Sequence, residues 1–67
     1  MRPKETWVLF EVSALGRELF FRGFSDGGAI TRTTNAAYAM KFPSAAEAYE
    51  FGLAARPQLD WWRVARR

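Results

Sequence analysis

The sequence contains no cysteine and no histidine. Their absence excludes disulfide staples, thiolate or imidazole metal ligands, and every catalytic arrangement that depends on Cys or His. Long apolar runs are missing too, so no segment reads as a membrane span. A basic stretch, Met1-Arg2-Pro3-Lys4, precedes Trp7-Val8-Leu9-Phe10, but Glu11 interrupts that run after four residues. That is too short for the apolar region of a secretory signal, and a disulfide-free small domain fits a cytoplasmic setting. Lysine is scarce, with two against eight arginines. Arginine suits bidentate recognition of carboxylate and phosphate, and it stacks on aromatic rings.

What is present is one small domain spanning residues 1–67. A chain of this size buries only about 60% of the surface its unfolded form exposes, so it has one core and little redundancy. Hydrophobic residues at 49% and charged residues at 25% fit an ordinary globular protein. Eleven aromatics, three of them tryptophan, are many for so short a chain. The net charge is +3, and Arg56, Arg63, Arg66 and Arg67 against Asp60 account for all of it.

From Thr6 to Ala14 the residues alternate, with Val8, Phe10, Val12 and Ala14 on one side and Trp7, Leu9, Glu11 and Ser13 on the other. Period two with β-branched and aromatic residues predicts a strand. Punctuation at Leu15-Gly16-Arg17 and a second run over 18–24 predict a β-hairpin. Ser25-Asp26-Gly27-Gly28 is turn chemistry, and Ala29 to Thr34 reads as a short third strand. The small-residue stretch 35–42 fits either a helical turn or an irregular edge. Pro43 and Ser44 then mark a boundary. Ser44 followed by Glu47 matches a capping box, which predicts a helix over about 45–55, stopped by Pro57. Its wet face carries Glu47, Glu50 and Ala54, and the opposite face carries Ala45, Ala48, Tyr49 and Gly52. Leu59 to Ala65 reads as the last strand. The expected fold is α+β, a three- to four-stranded antiparallel sheet in the order ββ(β)αβ, with one helix packed on one face.

Chemical motifs are few. Gly23-Phe24-Ser25-Asp26-Gly27 matches the G-x-S-x-G nucleophile elbow in letters, but that chemistry needs a histidine and a following helix. A glycine-rich loop leaving a strand is the simpler reading. Arg22-Gly23-Phe24 begins like an RNA-recognition signature and then runs into turn residues. Glu47 and Glu50 lie on a solvated helix face, and hard cations need several oxygens converging in a loop. No acid–base pair, phosphate loop or metal-ligand spacing stands out. The expectation is a non-catalytic protein without cofactor or metal.

Trp61-Trp62-Arg63 with Arg66-Arg67 is the most informative group. Adjacent strand residues point to opposite faces. Val64 marks the Trp62 side as core under the helix, which leaves Trp61 and Arg63 on the far face. Trp7 has the opposite parity from Val8, Phe10 and Val12, and is expected to join them there. The candidate partner-binding residues are therefore Trp7, Trp61, Arg63, Arg66 and Arg67, with Trp62 structural. Two readings of the far face compete. In one the loop at 25–42 folds across and buries it. In the other it is an open aromatic–arginine patch, a composition typical of interaction sites.

Residues 30–67 resemble small accessory proteins of phages and mobile elements, of the anti-CRISPR type. The likeness lies in Ala39-Met40-Lys41-Phe42-Pro43-Ser44 leading into Ala45-Ala46-Glu47-Ala48, with a closing Trp-Arg-Val strand. Those positions are structural, so no site residue carries over. The resemblance implies a stoichiometric inhibitor that binds and blocks a CRISPR–Cas complex. A net charge of +3 points to an acidic partner surface rather than to DNA mimicry. A second copy of the chain, docked through the open sheet face, is a further candidate partner. The alternative function is contact with nucleic-acid backbone through Arg56, Arg63, Arg66 and Arg67.

Overall fold

The computed structural model describes residues 6–55, 59 and 62–67. Four strands form one antiparallel sheet: β1 (Trp7–Val12), β2 (Glu18–Phe24), β3 (Ile30–Thr33) and β4 (Arg63–Arg66), in the order β3-β2-β1-β4. One α-helix, α1 (Ala45–Ala54), packs on β1 and β4. The architecture is α+β, as the alternation and the capping signal predict. No described helix is long and apolar enough to cross a membrane.

The turns follow from local chemistry. Gly16 and Gly28 take φ of 81° and 84°, which glycine adopts without steric cost and L side chains rarely adopt. The hydroxyls of Ser13 and Ser25 accept from the backbone N–H four residues on, closing the two tight connections. Ser44 caps α1: its Oγ accepts from the Glu47 backbone N–H at 3.1 Å. The reciprocal arm differs from a full capping box. The Glu47 carboxylate accepts from the Ser44 hydroxyl at 3.5 Å.

β1 and β2 pair only from Phe10↔Phe20 to Val12↔Glu18. Beyond Phe10 they part, and residues 39–42 fill the opening. The Met40 N–H donates to the Phe21 carbonyl at 2.9 Å, while Trp7 and Phe42 exchange two backbone hydrogen bonds at 3.2 and 2.8 Å. The split is prepared by β2. A bulge sits between Phe21 and Gly23 against β3, and Gly23 takes φ 151°. The extra residue, Arg22, resets the alternation, so Phe24 joins Phe21 on the helix side. Their ring centroids lie 5.3 Å apart.

Both faces of the sheet are therefore covered. On the helix side Leu9, Phe21, Phe42, Ala48, Leu59 and Trp62 form the larger core, with Trp7, Phe51 and Val64 packed against it. On the far side Val8, Phe10, Phe20 and Ala39 form a second cluster beneath a single 3-10 turn, Ala36–Tyr38. The chain passes from one face to the other through the opening, since Ala39 belongs to the far cluster and Phe42 to the helix-side core.

Two expectations need correction. The helix does not cover Val8, Phe10 and Val12. It covers the Leu9 side, and Val12 is exposed. Both alternating sets on β1 are apolar, so the alternation could not rank them. On α1, Tyr49 is exposed rather than facing the sheet, and Ala48 with Gly52 makes the close approach instead. The assignment of Trp62 and Val64 to the helix side agrees with the packing. β4 is shorter than the predicted 59–65, because the chain bends at Leu59 and Trp62 enters the core before the strand begins.

Candidate binding surface

Register decides where the predicted site residues go. Trp7 pairs with Arg66 across β1 and β4, and Leu9 pairs with Val64, so Trp7 and Arg66 share the helix side. Trp7 is half-buried there, against the helix-side core. The Arg66 guanidinium lies 6.0 Å from the Trp7 ring centroid, and its Nε donates to Thr6 Oγ1 at 3.4 Å. This corrects the placement of Trp7 on the far face. Trp61 lies outside the described residues.

Arg63 and Arg67 are on the far side. Arg63 pairs with Phe10 and is exposed, and among the described residues its side chain has no hydrogen bond, ion pair or ring contact. Arg67 reaches across the far face, 5.5 Å from the Phe10 ring centroid, and its Nη2 donates to Glu18 at 3.0 Å. The described members of the predicted set are thus divided between two faces. Alternation along β4 separates Arg66 from Arg63 and Arg67.

The far face also gathers residues outside the expected binding set. Tyr38 sits on the 3-10 turn with 63% of its surface exposed, and the Arg22 guanidinium lies 5.8 Å from its ring centroid. The turn is held rigid from several directions. Asn35 Oδ1 accepts from the Ala37 N–H at 2.9 Å, and Thr33 Oγ1 accepts from the Asn35 N–H at 3.1 Å. The Lys41 ammonium donates to the carbonyls of Ala36 and Ala39. Ala36 and Ala39 tuck the turn onto Val8, Phe10 and Phe20. Asn35, a good N-cap two residues before a backbone N–H it can satisfy, was the available signal for this turn.

Arg32, on the helix side, is structural. It forms an ion pair with Glu11 and lies 5.7 Å from the Trp62 ring centroid. Ser25, the letter match to a nucleophile, uses its Oγ to accept from Ala29 N at 3.2 Å inside a turn. Among the described residues no group of three or more acidic, His or Cys side chains is placed to hold a metal. A shallow recess of about 20 Å³ lies between α1 and the sheet, lined by Leu9, Gly52, Leu53, Leu59, Trp62 and Val64 among others. That is room for roughly one water. Beside these apolar walls the Trp62 Nε1 is buried without an acceptor, a cost offset by the packing of its ring.

Comparison with protein families, curated proteins and solved structures finds no match to this chain in any of the three.

Proposed function

We propose that the chain is a non-catalytic protein-binding module that meets its partner through the far face of the sheet, with Tyr38, Arg22 and Arg63 as the working residues. The observation that carries this reading is the state of Tyr38. It is a large aromatic, 63% exposed, presented on a turn whose backbone is fixed by four side-chain hydrogen bonds. Tyrosine and arginine are typical interface hot spots. A turn that is already ordered spares the complex part of the ordering cost of association. The resemblance to anti-CRISPR proteins supplies the target class, a CRISPR–Cas complex blocked by occupation of its surface.

The test places a photo-cross-linking amino acid at position 38 and, as control, at the equally exposed position 49 on the helix. A discrete protein adduct is expected from position 38 alone. Adducts from 49 and none from 38 would move the working surface to the helix. The target class is tested separately, by plaque counts on a panel of CRISPR-immune hosts expressing the chain. Restored plaquing that Tyr38→Ala removes supports it, and unchanged immunity across the panel refutes it.

A further inference from the structure

The outer side of the helix and the far face of the sheet differ in charge. The outer side of α1 carries Glu47 and Glu50, both exposed, and no basic residue occurs within Ala45–Ala54. The far face carries Arg22, Arg63 and Arg67 against Glu18, and Glu18 is already engaged by Arg67. Among the described residues Arg22 and Arg63 remain exposed with no ion pair, Arg22 on β2 beside the Tyr38 ring and Arg63 on β4, with β1 between the two strands. Resting on the protein-binding reading above, we infer that the partner surface is rich in carboxylates, and that Arg22, beside the Tyr38 ring, and Arg63, on the same face, receive it through charge-assisted hydrogen bonds.

Magnitudes favour carboxylate over phosphate. Among the described residues the far face offers two unpaired cations, and two phosphates neutralised give a salt slope of only about −1.4 on a single strand, whereas proteins that hold nucleic acid firmly make roughly 6–10 such contacts. Arg56 lies outside the described residues, and the other two C-terminal cations do not extend the footprint. Arg66 stacks on Trp7 at the opposite face, and Arg67 is spent on Glu18. A nucleic-acid backbone needs a continuous basic track. A pair of carboxylates needs only a guanidinium fork for each.

The probes are fluorescent poly-L-glutamate and an oligodeoxythymidylate of equal charge, titrated by anisotropy at low salt. Poly-L-glutamate is expected to bind, and Arg22→Glu with Arg63→Glu is expected to weaken it by about tenfold or more, equivalent to about 1.4 kcal/mol. Arg17→Glu, in the β1–β2 turn, controls for net charge, and Glu47→Gln with Glu50→Gln should leave binding unchanged. Tighter binding of the oligonucleotide would overturn the inference in favour of phosphate. Binding of neither polymer, or an equal loss per charge at Arg17, would overturn it in favour of no anion surface at all. In those last two cases a surviving adduct at position 38 leaves the protein-binding reading intact, so the two failures are distinguishable. Circular dichroism of each variant establishes that its fold is retained, and the single reversals replace the double if it is not.

Discussion

The two faces of this sheet are both apolar, yet they are sealed by different means. The helix side is closed by a ten-residue helix and a chain of touching rings in which Phe21 meets Phe24, Phe51 and Trp62. The far side is closed by a three-residue turn and the Arg67 side chain lying over Phe10. Both nevertheless bury their strand residues: Phe21 is 0% exposed and Phe20, its neighbour on the other face, is 5% exposed. The difference teaches that a small domain need not choose one core. A thin polar-edged cover is enough when the apolar patch beneath it is small, and it leaves cations and a tyrosine at the surface where a partner can reach them.

The comparison can be broken most directly at adjacent residues. Phe21→Ala is expected to cost about 3–5 kcal/mol and to unfold most of the protein, since it removes the ring at the centre of the larger core. Phe20→Ala should cost about 3 kcal/mol, the lower end of the same range, because its cover is thinner. Chemical denaturation of both variants measures this. A loss at Phe20 below about 1 kcal/mol, the level of ordinary surface changes, would make the far face mere surface.

Gly23→Ala comes next. The methyl group meets nothing within 4 Å, so its cost is conformational, from φ 151° that L residues rarely adopt. A loss of about 1–3 kcal/mol is expected, and it should loosen both faces together, because Gly23 shapes the opening through which residues 39–42 cross. Hydrogen exchange at the Met40 and Phe42 amides reads that loosening directly. Protected amides in a destabilised variant would separate the strain from the crossing.

Ser44→Ala removes the acceptor for the Glu47 N–H and should lower stability by about 1 kcal/mol, seen as a drop in Tm. Ser44→Asp should retain most of it. The smallest effect has the opposite sign. At Gly52 a methyl group would sit 3.6 Å from the Leu59 carbonyl oxygen and 3.7 Å from Leu9 Cδ2, ordinary contact distances beside the small recess. Gly52→Ala is therefore expected to stabilise by about 0.5–1 kcal/mol through helix propensity. A fall in Tm instead would mean that the helix already sits as close to β1 as it can.

Much of this was legible in advance where the signal is local. Alternation located β1 and β2, the Gly16 and Gly28 turns bounded them, and Ser44 with Glu47 opened the helix at the residue observed. The site was much less legible. Local pattern places Trp7 opposite the helix, because Val8, Phe10 and Val12 look like the more apolar set. In the fold Leu9 outweighs them by meeting Gly52 and Leu59. Neither Tyr38 nor Arg22 is among the expected binding residues, because nothing local marks either as a surface anchor. One is a lone ring among alanines, and the other is the extra residue of a bulge.

The sequence by itself determined the order and approximate bounds of the elements, the helix cap, and the pairing of Trp62 with Val64 on one side of the last strand. Each of these depends on residues within a turn or two of one another. Only the tertiary structure decided which face of β1 the helix would cover, and which arginines would be spent on aromatic rings and carboxylates. Those outcomes depend on the parting of β1 from β2 and the passage of residues 39–42 between them. That passage rests on backbone hydrogen bonds between segments some 20 to 35 residues apart (Phe21 with Met40, Trp7 with Phe42). Backbone groups are the same in every residue, so no side-chain pattern encodes which of them will meet.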